Sequence, residues 1–317
     1  MDMTTTGGAG TGPGQPLRGR TALVTGATRG CGRAIAVELG RAGATVFVTG
    51  RSTRADASVL GRPETIEGTA ELVDAAGGRG VPVRCDFTSV ADVDALRERV
   101  EATTDGLDVL VDDVWGGDRY VDFSSAYWDS DLDDALTMVR NGIESHLIAL
   151  HRLLPCVVRR PGGLVVEVTD GEDDDYVGAG VPYYLVKCGI RAIGRALGAE
   201  LASSGVTGLS VTPGFLRSEA MLELFGVTED TWRDAVTDER PEFAVSETPY
   251  YLARGVAALA ADPERDRFAG RTLASWTLMH TYGVTDVDGS RPDFGRYFRE
   301  VFRAGRDPRT IDPAPYR

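Results

Sequence analysis

Apolar residues along this chain fall into two alternating patterns. Runs rich in apolar residues at 22–24, 44–49, 81–85, 107–111, 163–169, 207–212 and 271–275 read as strands. Between them, the stretches 31–41, 65–76, 90–100, 132–158, 182–203 and 248–261 return apolar residues at the spacing of a helix with one buried face. Strand runs without polar alternation are covered on both sides. Strand followed by helix, repeated in this way, predicts an α/β chain whose parallel sheet is wrapped by helices. The stretches 54–63 and 118–129 keep neither period and read as loops.

Composition changes this picture little. A chain of 317 residues suits one large α/β domain. The net charge of −14 argues against nucleic acid and anionic membrane surfaces as partners. It also means that an anionic cofactor needs local arginines. No apolar run is long enough to span a bilayer. The start of the chain, MDMTTTGGAGTGPGQP, lacks the basic and apolar parts of a signal peptide, and 1–18 reads as a flexible tail. Residues 19–317 then form a single domain, with no internal repeat. Cys31, Cys85, Cys156 and Cys188 are scattered without a C-x-x-C pair, which favours a reduced, cytoplasmic chain. His146 and His151 lie within a helical stretch with no carboxylate–histidine metal pattern around them in sequence, so no metal is expected. The acidic run 172–175 reads as a solvated loop.

The first strand runs into Thr25-Gly26-Ala27-Thr28-Arg29-Gly30-Cys31-Gly32, and a helix opens directly afterwards. Three glycines there let backbone approach a pyrophosphate, and a helix N-terminus favours the anion. Glycine also makes tight turns for purely structural reasons. Strand before and helix after are the context that a nucleotide fingerprint requires. Much further on, Tyr183 and Lys187 stand four residues apart and share one face of a helix.

The T-G-x-x-x-G-x-G turn, joined to Tyr183-x-x-x-Lys187 after a fifth strand, resembles the short-chain dehydrogenase/reductase family. The resemblance covers about 18–275 and includes Asp86 and Pro213-Gly214. It implies a doubly wound parallel sheet, the three-layer α/β/α Rossmann fold, with cofactor at the carboxyl ends of the strands. By resemblance, Gly26, Thr28, Arg29, Gly30, Cys31 and Gly32 form the phosphate turn. Asp86 and Phe87 lie at the adenine, and Pro213 and Gly214 pack on the nicotinamide. The second strand ends at Arg51, where the family binds the adenosine ribose and many NAD-binding relatives carry an acid. Arg51 together with Arg29 suits a 2′-phosphate, so NADP(H) is the expected cofactor. Asp86, with Thr88 and Ser89, also reads as a cap for the next helix.

The resemblance makes Tyr183 the general acid/base and Lys187 the holder of the nicotinamide ribose. An ammonium nearby stabilises phenolate and lowers a tyrosine pKa from about 10 towards the working range. The family's catalytic asparagine lies on the long helix 132–158. Asn141 is the asparagine available, while spacing back from Pro155 points to Gly142. Where the family usually has Asn-Asn-Ala-Gly, this chain reads Asp112-Asp113-Val114-Trp115. Counting back from Tyr183 places Asp170 at the family's serine. Its neighbour Thr169 carries a hydroxyl, but a one-residue shift turns a strand side chain to the other face. A carboxylate about 4 Å from a tyrosinate repels it by roughly 4 kcal/mol at an effective dielectric near 20. Asp170 is therefore protonated, or paired with a cation, or serves other chemistry.

The segment 213–246, with Phe215, Met221, Leu222, Leu224, Phe225 and Trp232, suggests a lid over an apolar substrate pocket. Residues 276–317 extend beyond the usual family ending and pack across the domain or a neighbouring subunit. Small residues on 182–203 (Gly189, Ala192, Gly194, Ala196, Gly198, Ala199) suit close helix pairing, hence a homodimer or homotetramer. The expected activity is NADPH-dependent hydride transfer with a small carbonyl, alcohol or imine compound. Two alternatives are a redox-neutral dehydration, cyclisation or isomerisation using Asp170, and a non-catalytic NADP-binding regulator.

Overall fold

The computed structural model describes residues 14–58, 61–122, 125–175 and 180–317, so the expected tail lies outside the described residues save for 14–18. Seven strands make one sheet: β1 (Thr21–Val24), β2 (Thr45–Gly50), β3 (Arg79–Arg84), β4 (Val109–Asp112), β5 (Leu164–Val168), β6 (Thr207–Thr212) and β7 (Thr272–Ala274). Their order is β3-β2-β1-β4-β5-β6-β7, and every pairing is parallel. The order reverses between β1 and β4, which opens a crevice at their carboxyl ends. That is the doubly wound arrangement in which ligands bind.

Strand periodicity sorts the core. Ala22, Val24, Val46, Val48, Val109, Val111, Leu164 and Val166 pack against α1 (Gly30–Arg41), α2 (Ile66–Ala75) and α8 (Pro249–Ala261). Leu23, Phe47, Leu110 and Val165 point to the other face, towards α3 (Val90–Thr103), α5 (Ser145–Val158) and the end of α6 (Val181–Glu200). Successive side chains of a strand alternate in direction, so a strand covered by helices on both sides must be apolar throughout. Among the described residues, no helix is long and apolar enough to cross a membrane.

Three expectations need correction. The last strand stops at Ala274, because Ser275 opens α9 (Ser275–Tyr282) and its buried hydroxyl donates to Glu247. The long helix is not uniform: α4 (Leu132–Val139) passes into a π turn at Arg140–Glu144 before α5 begins. The small residues of α6 do not form one docking stripe. A Cβ on Gly194 would lie 2.0 Å from Ser210 Oγ, and one on Gly198 2.1 Å from the Gly270 nitrogen. Those two glycines let α6 approach its own sheet, while Ala192, Ala196 and Ala199 remain outward. The acidic run is exposed over 173–175, as expected of a solvated loop, with Asp174 pairing with Arg191, Asp173 and Asp175 with Arg303, and Glu172 accepting from Thr277.

The segment after β6 carries the short helix α7 (Glu219–Leu224). Trp232 and Phe243 are buried there, with Phe215, Leu222 and Phe225 packed against them. These aromatics fill a small core of their own rather than line an open apolar pocket. Val245 in turn meets Tyr297, Val301 and Tyr316, so the C-terminal stretch packs on the segment that follows β6 in this same chain.

Candidate active site

The glycine turn lies against the turn that follows β4. Gly26 has φ +60°, and a Cβ there would stand 2.1 Å from the Asp113 carbonyl oxygen. A Cβ on Gly32 would stand 2.6 Å from the Gly26 oxygen. Only glycine permits both approaches. Over Gly30 the situation is the reverse: nothing lies within 4 Å of a Cβ position, so the first turn of α1 faces open space. The N–H groups of a first helical turn lack intrahelical partners. Here Gly32 donates to Asp113 and Gly30 donates to Glu219. The open space over Gly30 and the backbone donors fit a dinucleotide phosphate. Thr28, Cys31 and Phe87 are buried.

The two arginines take separate acidic partners. Arg29 donates to Ser58 at 2.9 Å, and its Nε stands 3.7 Å from Glu64. Arg51 stands 4.0 Å from Asp86. Asp86 accepts from the Thr88 N–H and hydroxyl, while Ser89 caps α3.

At the start of α6, the Tyr183 hydroxyl donates to Asp170 Oδ2 at 2.6 Å. Thr169 is buried and donates to the Lys187 carbonyl at 2.7 Å, away from the tyrosine oxygen. Asp170, and not Thr169, meets Tyr183. Arg191 steadies this corner by donating to the Asp170 carbonyl and to Asp174. The Lys187 ammonium sits 4.2 Å over the Trp115 ring and 5.5 Å from the Tyr183 ring centroid. Trp115 meets Tyr183 edge-on at 5.7 Å. Trp115 therefore forms a wall beside both residues, a role the sequence did not assign to it. Gly117 and Gly142 make room for its indole, since a Cβ on either would crowd the ring.

Asn141 lies in the π turn and donates to the Gly116 carbonyl at 2.9 Å. A π turn holds one more residue than an α turn. Both positions left open by the sequence, Asn141 and Gly142, lie within this one. Gly214 packs on Glu247 and Phe294 beneath the last turn of the site.

A family model described as short chain dehydrogenase matches residues 20–226. The chain belongs to the short-chain dehydrogenase/reductase family. Mouse "Dehydrogenase/reductase SDR family member 1" is 32% identical over 280 residues, covering 86% of this chain and 85% of that protein. The 3-oxoacyl-(acyl-carrier-protein) reductase FabG of Staphylococcus aureus is 28% identical, covering 80% of this chain and 95% of its own. A solved short chain dehydrogenase from Mycobacterium thermoresistibile has the same fold, with a TM-score of 0.71 at 20% identity over 86% of this chain and 90% of that one.

Within this short-chain dehydrogenase/reductase, a second cluster lies beneath the site. His146 on α5 is fully buried between Glu167 of β5 and Asp112 of β4. Its Nδ1 is 2.6 Å from Glu167 Oε2 and 3.6 Å from Asp112 Oδ2, while Nε2 meets the Val114 carbonyl at 3.0 Å. The absence of an acidic pattern around His146 in sequence was misleading, because the acids arrive from two other strands. Burial alone would lower the imidazole pKa; the Asp112 and Glu167 carboxylates override it and hold it up at about 9. Burial raises Glu167 to about 7 and raises Asp112 as well. Among the described residues this is the one trio whose donor atoms could reach a single ion. The 2.6 Å contact is a hydrogen bond, so the trio as arranged holds a proton. Thr25 donates to Asp112 at 2.6 Å and accepts from the Asp113 N–H, tying the trio to both turns of the site.

Proposed function

We propose that the protein is an NADP(H)-dependent oxidoreductase acting on a small carbonyl, alcohol or imine compound, with Tyr183 as the general acid/base. The observation that carries this reading is the Tyr183 hydroxyl, engaged by Asp170 and flanked by Lys187 across Trp115. The nicotinamide, when bound, supplies or accepts the hydride. The glycine turn and Lys187 hold the dinucleotide, with Arg29 and Arg51 at the 2′-phosphate, Asp86 and Phe87 near the adenine, and Pro213-Gly214 against the nicotinamide. Tyr183 gives its proton to the substrate oxygen or nitrogen in reduction, and Lys187 stabilises the phenolate. Asp170 accepts from the Tyr183 hydroxyl and so orients it at the reacting centre. Asn141 braces the Gly116 carbonyl beside this group.

The direct Tyr183–Asp170 bond also favours a second reading, in which the pair works as acid and base in a redox-neutral conversion. A non-catalytic regulator is disfavoured, because Tyr183 and Lys187 are both in place. We place the protein in the cytoplasm as a homodimer or homotetramer, with exposed Leu147 of α5 and Leu185 of α6 at the contact. The test is NADPH oxidation against a panel of carbonyls, with and without Tyr183→Phe. Turnover should fall roughly 10²–10⁴-fold while NADPH binding holds. Substrate conversion without NADPH consumption would select the second reading, and near-normal turnover in Tyr183→Phe would move the proton elsewhere.

A further inference from the structure

The first turn of α1 is a seat for phosphate charge, and this chain fills it with a carboxylate of its own. Glu219 opens α7, 189 positions away from Gly30 in sequence. Both of its oxygens face the Gly30 N–H, at 3.0 and 3.3 Å, and Arg33 Nη1 stands 3.7 Å away. Ser218 caps α7 by accepting from the Met221 N–H, which fixes where Glu219 leaves the backbone. Further along the same helix, Glu223 pairs with Arg62, beyond the end of β2. Two acidic residues of α7 therefore tether the lid segment to the nucleotide end of the sheet. The space beside the carboxylate is open, since nothing lies within 4 Å of a Gly30 Cβ position. The Gly30 N–H and the Arg33 guanidinium hold Glu219 there.

We propose that Glu219 is a built-in competitor for the cofactor pyrophosphate, so that cofactor entry and release of α7 are one event. The inference rests on the dinucleotide reading above. An N–H that donates to a carboxylate is not available to a phosphate oxygen, and two anions at one helix terminus repel. The dinucleotide must displace Glu219, and α7 moves with it because the side chain is the link.

The experiment uses the full chain and NADPH itself, followed by quenching or calorimetry at low ionic strength. Glu219→Gln keeps the side chain's size and its acceptor but removes the charge; Glu219→Ala removes both. Each should bind NADPH about 10-fold more tightly than the unmodified protein, equivalent to about 1.4 kcal/mol. The gain for Glu219→Gln should shrink on raising NaCl from about 20 mM to about 500 mM, as screening weakens the repulsion it relieves. A second measurement needs no cofactor: amide hydrogen exchange over 26–33 should quicken in ligand-free Glu219→Ala, because the Gly30 N–H has lost its acceptor. Equal or weaker NADPH binding in both variants would overturn the proposal while leaving the dinucleotide reading intact. Absence of dinucleotide binding in every protein, unmodified included, would overturn the cofactor reading and this proposal with it.

Discussion

Replacing His146 by Gln removes the cation that lies between the buried carboxylates of Asp112 and Glu167. At separations of 2.6 and 3.6 Å, each contact corresponds to roughly 5–6 kcal/mol of attraction at an effective dielectric near 20, before desolvation is subtracted. Removing one partner of a buried pair costs about 3–5 kcal/mol in practice, since the remaining charge is left uncompensated. The direction with pH follows from the proton affinities. His146 is held at about 9 against an ordinary 6.5, and Glu167 at about 7 against 4.5. Both are raised, so the folded state binds more protons than the unfolded one. Their contribution is complete below the unfolded values and is lost as pH rises through the folded ones. The unmodified protein should lose stability between about pH 7 and 9, with His146 alone approaching a slope of about 1.4 kcal/mol per pH unit. The contribution that His146→Gln removes is complete at pH 5 and mostly gone by pH 8, so the deficit measured by urea unfolding should be about 2 kcal/mol larger at pH 5 than at pH 8. Glu167→Gln, which keeps an acceptor for the imidazole N–H, should cost only about 1 kcal/mol. A His146→Gln deficit equal at both pH values would mean lost packing alone and would refute the ionic account.

Asp170→Ser should retain carbonyl reduction if Asp170 stands in for a hydroxyl donor, and should abolish turnover with NADPH still bound if it is an obligatory base. Thr169→Val should cost stability, through the lost bond to the Lys187 carbonyl, with little effect on turnover; the opposite pattern would move the site to Thr169. Arg51→Asp should erase most of the preference for NADPH over NADH, because a charge-assisted contact becomes a repulsion; equal affinity for both cofactors in the unmodified protein would remove the 2′-phosphate assignment. Light scattering at micromolar concentration should give a dimer or tetramer, and a monomeric mass would leave Leu147 and Leu185 without the partner proposed for them.

The sheet was legible because most strands buried on both faces are rich in apolar residues and alternate with helical patterns; 207–212 was located to the residue. The glycine turn was legible for a related reason: Gly26 and Gly32 tolerate no side chain against Asp113 and Gly26 respectively. Contacts between elements distant in sequence were harder to read. The indole of Trp115 gains its place from Gly117 and from Gly142 on the π turn, and nothing local in Asp112-Asp113-Val114-Trp115 announces that. The His146 trio draws on β4, β5 and α5, so no spacing rule for a single element could find it. Asn141 and Gly142 both lie in a π turn, where a helix that takes in one extra residue departs from the α-helical period.

The same long-range view bears on the chain's acidity. A net charge of −14 looks hostile to a phosphorylated cofactor, and several acids do lie near the proposed site. Three of the buried ones are held unusually high by burial: Asp113 and Glu167 at about 7, and Glu247 at about 8. Lys187 pulls Asp113 the other way, and Ser275 does the same for Glu247. Near neutral pH these carboxyls carry far less charge than their formal count, so the field met by a dinucleotide is weaker than composition implies. The partly exposed carboxylate of Glu219 is different, because it faces the Gly30 N–H directly. If one acid sets cofactor affinity, position selects Glu219 over the interior carboxyls. Neutralising Glu219 should therefore change NADPH binding more than the net charge of −14 would suggest for a single residue.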